Sequence, residues 1–253
     1  MFFSFGCLCG CCLVLLAGCS DAPVIPLVPQ DRVVLAEFFT FSRCGYCPYA
    51  ARALDSVAAE SGDSLVVIAW HRRVAGDTLS PLYAESRAAF YQEPGGGEPA
   101  TVFDGGDVVR TAGPEYNYET FHNQLLAAKS IRPKAQLELA GTVGTAACSI
   151  LVRAWGIDST PAESLRLFVT ICEDSVLSRL PGNAETLFNR VLRYLLPDEN
   201  GLAVALTPTD TLETVQRCAL QPFWNPFRLG AVAFVQDMAT RKVLQAVLLR
   251  RLG

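Results

Sequence analysis

Two cysteines separated by Gly45 and Tyr46 are the residues of this 253-residue chain best suited to chemistry. A Cys-x-x-Cys spacing serves either metal binding or thiol–disulfide exchange. Zinc would need two more ligands of the right type. A second Cys-x-x-Cys is absent, and the two histidines, His71 and His122, stand at no ligand spacing from the first. A zinc site made from the pair and His71 is therefore the weakest reading, and no metal is expected. Placement favours exchange, because the pair follows a strand-like run and opens a helical one. A cysteine at a helix N-terminus meets orphan N–H groups and the positive dipole end, both of which stabilise a thiolate. Cys44 is expected to be the exposed, attacking thiol, with Cys47 one turn into the helix as the resolving thiol. Pro48 costs little in a first turn, where its missing N–H has no partner to lose.

The elements that must hold this pair are legible on both sides of it. Val33 to Phe39 is a β-prone run of strand length, and Ala50, Ala51, Leu54, Val57 and Ala58 share a helical face that stops near Gly62. Leu65 to Trp70 is almost wholly apolar, as suits a central strand covered on both faces. Helical spacing returns over residues 79–92, and a Pro-Gly-Gly-Gly break at 94–97 ends it. Two short strands, Ala100 to Phe103 and Val108 to Arg110, are joined by a hairpin-type turn, Asp104-Gly105-Gly106. A helix over 115–129 completes the order β-α-β-α-β-β-α. Beyond Pro133 the chain reads as strands and turns: Lys134 to Leu139, Ser149 to Ala154, Leu165 to Ile171, Ala231 to Gln236 and Lys242 to Leu249. Val191 to Leu196 fits either a helix or a strand, with Asp198 to Gly201 favouring a hairpin turn. The fold class expected is α/β for residues 31–131, followed by an all-β sandwich over 132–253.

The N-terminus differs in composition. Residues 1–18 carry no charge and end in Leu16-Ala17-Gly18 before Cys19. A run this short fits a signal-peptide core better than a membrane span of about 20 residues. Small residues before a cysteine resemble a bacterial lipobox, in which Cys19 would be lipidated and become the new N-terminus, anchoring the chain to a membrane. No Lys or Arg precedes the apolar core, so an uncleaved anchor or a misplaced start codon stays open. Residues 19–30, with Pro23, Pro26 and Pro29, read as a tether.

Ten cysteines become five once Cys7, Cys9, Cys11, Cys12 and the lipid-bearing Cys19 are set aside. Cys44, Cys47, Cys148, Cys172 and Cys218 would then sit where disulfides persist. An odd number leaves a thiol free or joined to another molecule. Cys148, Cys172 and Cys218 are expected as buried thiols, with a disulfide between two of them the alternative. A net charge of −4 argues against a nucleic-acid partner, which needs a basic face.

Phe39-Thr40, the Cys44-Gly45-Tyr46-Cys47-Pro48 string, Phe103-Asp104-Gly105 after Pro99, Ala233-Phe234-Val235-Gln236-Asp237 and Val243-Leu244-Gln245-Ala246 together carry a resemblance. They resemble the thioredoxin-like outer-membrane lipoproteins of Gram-negative bacteria, which join a thioredoxin domain to a C-terminal β-sandwich. The resemblance implies a cell-envelope location and a cis-proline opening the strand opposite the redox pair, a role that falls on Pro99. It implies little about substrate. Two departures stand out. Thioredoxins carry an inward acid six positions before the first cysteine, where this chain has Phe38; Glu37 is expected on the other sheet face. The residue before the pair, commonly Trp, is Arg43, a cation that would favour the Cys44 thiolate or simply be a solvated loop charge.

Two functions compete on these residues. The first is a thiol–disulfide oxidoreductase of the envelope, with Cys44, Cys47 and Pro99 at its centre and Tyr46 and Arg43 modulating contact. Its partners would be protein thiols and disulfides and an unidentified redox partner. No bound cofactor is expected, since the dithiol itself carries the electrons. The second is a non-enzymatic surface lipoprotein in which the pair is a static staple and the sandwich binds a partner.

Overall fold

In the computed structural model the described residues are Met1, 31–91, 97–111, 117–158, 164–178, 180 and 185–253. Residues 2–30, on which the expected signal segment, Cys19 and the expected tether fall, lie outside them.

β1 (Val34–Thr40) and β2 (Leu65–His71) are buried at every position and pair in parallel, from Val34 opposite Leu65 to Thr40 opposite His71. Their near-continuous apolar runs suit strands covered on both faces. α1 (Cys47–Ser61) joins them, with Pro48 in its first turn and Gly62, at φ +59°, at its end. α2 (Ala84–Tyr91) is shorter than the spacing over 79–92 predicts. Ser80 precedes Pro81, and the residue before a proline is pushed out of helical geometry. β3 (Ala100–Phe103) runs antiparallel to β1, and β4 (Val108–Arg110) to β3. Their turn brings Gly105, at φ +69°, against the Arg241 carbonyl, so close that a Cβ would lie 1.7 Å from its oxygen. α3 (Asn117–Lys129) follows and packs with α1 on one face of the sheet.

The second half is strands: β5 (Ala135–Val143), β6 (Ala147–Gly156), β7 (Leu165–Glu173), β8 (Val176–Leu177), β9 (Leu187–Phe188), β10 (Val191–Leu196), β11 (Leu202–Ala203), β12 (Leu212–Ala219), β13 (Leu229–Asp237) and β14 (Val243–Leu249). The ambiguous stretch Val191–Leu196 is thus a strand. β12 escapes the sequence reading for a physical reason. Its inward positions include Thr214 and Gln216, while the apolar Val215 points to solvent, so its pattern does not announce a buried face.

Among the described residues β14, β13, β7, β10, β2, β1, β3 and β4 lie in that order in one mixed sheet, with β11 on β7 as its ninth strand. β10 joins the two halves of the chain, pairing in parallel with β2 at Val191 and Ala69; the Ala69 N–H donates to the Arg190 carbonyl at 2.9 Å. The three-stranded sheet β12–β6–β5 lies face to face on this assembly. Leu137, Ile150 and Val152 share one buried hydrophobic core with Leu167, Val169 and Ala233. The architecture is mixed α/β with a large mixed sheet and smaller sheets, mostly β.

A buried charge network ties the halves together on the α2 side. Glu37 points away from α1, as strand alternation requires, and pairs with Arg87 of α2: Nε donates to Oε1 at 2.7 Å and Nη2 to Oε2 at 2.8 Å. Arg87 Nη2 also reaches the Tyr91 hydroxyl at 2.9 Å and Gln236 Oε1 of β13 at 2.8 Å. Its guanidinium lies over the rings of Trp70, Phe168 and Phe234. Burial works against the Arg87 charge, but Glu37 and Tyr91 outweigh it.

Candidate functional site

Cys44 and Cys47 form a disulfide, S–S 2.00 Å with Cα atoms 5.4 Å apart, at the mouth of α1. Tyr46 is the N-cap and offers no side-chain cap; Pro48 has no N–H and Tyr49 donates its own to the Tyr46 carbonyl at 3.2 Å, so few first-turn N–H groups are left over. One of them, the Cys47 N–H, donates to Cys44 Sγ at 3.1 Å. A donor aimed at this sulfur from a helix N-terminus is what a Cys44 thiolate would need once the bond opens.

The expectation that Cys44 is exposed is not met. Cys44 is 3% exposed and Cys47 2%, both within the α1-side core. The strand-opening segment covers the first sulfur, with the Glu98 carbonyl 3.9 Å from Cys44 Sγ. The Glu98–Pro99 bond is cis, as the resemblance implies, and Pro99 is buried beside β1. What faces solvent is the rim, Arg43, Gly45 and Tyr46, the last 61% exposed. Arg43 reaches the Ala75 carbonyl at 3.5 Å, which turns it toward the loop after β2.

Residues that the sequence reading did not single out hold the two loops in place. Arg72, at the end of β2, donates to Glu98 Oε1 at 2.7 Å and grips Glu85 through Nε and Nη2. Burial pushes the Glu98 carboxyl up against the pull of Arg72. Asp77 accepts from the Ser42 N–H at 2.6 Å and the Ser42 hydroxyl at 2.7 Å, just before the redox pair. It also accepts from the Leu79 N–H at 2.8 Å and contacts His71 Nδ1 at 2.7 Å. Burial alone would raise Asp77, but His71, Ser42 and the Leu79 amide hold its carboxyl below the usual range. No local motif announces Arg72 or Asp77, because their partners are distant loops. His71 is buried and hydrogen-bonded, and His122 stacks on Tyr118 at the surface.

Cys148 and Cys218 lie opposite each other on β6 and β12, with sulfurs 2.9 Å apart, and Cys172 is buried on β7. Among the described residues no three His, Cys, Asp or Glu side chains gather as a metal set, and no helix is long and apolar enough to cross a membrane.

The fold has solved counterparts. HBP35 of Porphyromonas gingivalis superposes with a TM-score of 0.72, covering 88% of this chain and 77% of its own at 17% identity. Protein AGR_C_4864 from Agrobacterium tumefaciens does so at 0.58, over 87% of this chain and 95% of its own, at 14% identity. At these identities the likeness is one of fold. A domain of the outer membrane lipoprotein Omp28 from Porphyromonas gingivalis reaches a TM-score of 0.37 over 47% of this chain and 89% of its own, at 18% identity, too loose to carry an argument. No protein-family model and no curated protein matches the chain.

Proposed function

We propose that this protein is a cell-envelope thiol–disulfide oxidoreductase acting on protein substrates through Cys44 and Cys47. The carrying observation is the Cys47 N–H donated to Cys44 Sγ at 3.1 Å, at an uncapped helix N-terminus. That donor favours the thiolate on one cysteine only, which supports an attacking role for Cys44 and a resolving role for Cys47. In reduction, the Cys44 thiolate attacks a substrate disulfide and expels one substrate thiolate. The Cys47 thiolate then attacks Cys44 Sγ, closes the Cys44–Cys47 bond and releases the second substrate thiolate. In the opposite direction the oxidised pair takes two electrons from substrate thiols. An unidentified redox partner resets the pair, and no bound cofactor takes part.

On this reading residues 31–131 are a thioredoxin-like domain and 132–253 a β-sandwich domain. Pro99 and Tyr46 shape the surface that meets substrate, and Arg43 adds a cation to its rim. The envelope location rests on the lipobox-like Leu16-Ala17-Gly18-Cys19 string, with Cys19 lipidated after cleavage at residue 18 and residues 19–30 as the tether.

The test is trapping. Cys47→Ser leaves the attacking thiol without its resolver and should accumulate mixed disulfides with envelope proteins; Cys44→Ser should accumulate none. If Cys44→Ser retains disulfide reductase activity and Cys47→Ser traps nothing, the reading fails. One observation favours a second reading, a surface lipoprotein with a static staple: both cysteines are almost wholly buried, 3% and 2% exposed. A structural staple resists reduction, a working pair does not, so the redox potential separates the two.

A further inference from the structure

The resolving thiol must lose a proton before it can attack, and a cavity behind it holds a group able to take one. Strand alternation puts His71 on the same face of β2 as Leu65, Val67 and Ala69, the face that packs on α1. His71 is 1% exposed. Its Nδ1 lies 2.7 Å from Asp77 Oδ2, and a carboxylate only accepts, so Nδ1 carries the hydrogen. A ring whose one hydrogen is on Nδ1 presents a lone pair at Nε2. Nε2 is buried and has no hydrogen-bond partner among the described residues. A cavity of about 240 Å³ is lined by His71, Cys47, Thr40, Phe38 and Phe188, but not by Asp77. With Nδ1 held by Asp77, Nε2 is the ring nitrogen left without a partner, on a side chain that lines the cavity.

We propose that His71 is the proton relay for Cys47, oriented by Asp77 and acting through water in this cavity; the inference rests on the oxidoreductase reading above. Phe38 on β1 faces the same space, so β1 supplies no carboxylate there. The volume admits several waters, and Thr40 and His71 supply polar partners. When a Cys44 mixed disulfide resolves, the proton of the Cys47 thiol passes to His71 Nε2. The thiolate displaces the substrate sulfur from Cys44, and that thiolate is protonated from solvent. In the reverse direction His71 returns the proton to Cys47. Asp77 remains ionised throughout and is a positioning residue. The other charges around the cavity come from α1, Arg52 and Asp55, and from the segment flanking β9, Glu185 and Arg190. They are paired across the opening, Arg52 with Glu185 and Arg190 with Asp55.

The test uses the full chain, reduced and mixed with an aromatic disulfide that releases a coloured thiolate. Cys44 attack gives a bimolecular release, and Cys47 resolution a second, unimolecular one. His71→Asn should slow the second phase about a hundredfold near neutral pH, the scale of general acid–base catalysis. It should also move that phase's pH profile and leave the first phase unchanged. If wild type shows neither phase, the oxidoreductase reading itself fails. If wild type shows both and His71→Asn resolves with the wild-type rate and profile, only the relay fails. Should that variant not fold, the His71 ring can be titrated by NMR in otherwise wild-type protein, with His122→Gln simplifying the spectrum. A titration that differs between the dithiol and disulfide forms supports the relay, and identical titrations overturn it.

A separate observation carries a second inference. Cys148 and Cys218 are direct partners in the β6–β12 register, with sulfurs 2.9 Å apart in the core between the sheets. Directly opposed antiparallel residues have Cα atoms about 4.5–5.5 Å apart, inside the disulfide range. We infer that these two thiols are oxidised to a structural disulfide after export. Two protons and two electrons would pass to the disulfide of a thiol oxidase. Cys172 is then the odd thiol, with burial pushing it up to about 12. Peptide mapping without reductant, after unfolding in a thiol-blocking alkylator, should recover a linked Cys148–Cys218 peptide and alkylated Cys172. Alkylation of all three overturns the inference.

Discussion

Removing Arg87 should destabilise the whole protein, not one part of it. Glu37 is fully buried and takes two hydrogen bonds from Arg87, at 2.7 and 2.8 Å. At an effective dielectric of about 20, charges at that separation attract by about 6 kcal/mol before desolvation is counted. Leaving one partner of such a pair uncompensated costs about 3–5 kcal/mol. Arg87→Met also strands Gln236 Oε1 and empties the space beneath Trp70, Phe168 and Phe234. We therefore expect Arg87→Met to lose about 4 kcal/mol in urea unfolding, with an unchanged m-value. Arg87→Met with Glu37→Gln should recover most of it, because no charge is then left unpaired. Because the network spans β1, α2, β7 and β13, wild type should unfold in a single transition. A loss below about 1 kcal/mol would refute the reasoning, as would a double variant that loses the sum of the single effects.

Three further outcomes follow from particular contacts. Burial holds the Asp104 carboxyl up at about 6 against the pull of Arg32 and the Leu35 amide. A folded-state value above the ordinary 3.8 contributes stability that is full below that pH and lost as pH rises through about 6. Asp104→Asn should therefore remove a pH-dependent difference of about 2 kcal/mol between pH 4 and 7 in urea unfolding. Gly105→Ala should lose about 2 kcal/mol or more, since its Cβ would sit 1.7 Å from the Arg241 oxygen at φ +69°; a near-neutral ΔΔG would refute this. Tyr46→Ala, at a residue 61% exposed, should leave stability within about 0.5 kcal/mol. It should slow reduction of a protein disulfide more than of a small one, and equal slowing would remove Tyr46 from the contact surface.

The N-terminal elements were readable because each carries its own signal. β1 and β2 are apolar runs of strand length, α1 shows a helical face and a Gly stop, and β3 and β4 flank a turn rich in Gly. The pairing of β10 with β2 was not readable, since a single bridge at Val191 and Ala69 leaves no mark in either segment. β12 was missed because its inward side chains are partly polar. At the site, the order strand–cysteines–helix located Cys44 and Cys47, and the family resemblance pointed to Pro99. The burial of Cys44 depends on Glu98, a residue 54 positions away, and could not be foreseen. Asp77 and Arg72 bind distant loops, so no spacing betrays them. Glu37 was expected on the other sheet face, yet its partner Arg87 gave no sign of being buried.

The most direct test of the redox assignment is the reduction potential of Cys44–Cys47 in the full chain, equilibrated in thiol–disulfide buffers and quantified by alkylation. A labile pair is expected, above about −300 mV, the region of exchange-active disulfides. A value below about −300 mV would make the bond a structural staple and contradict the redox assignment.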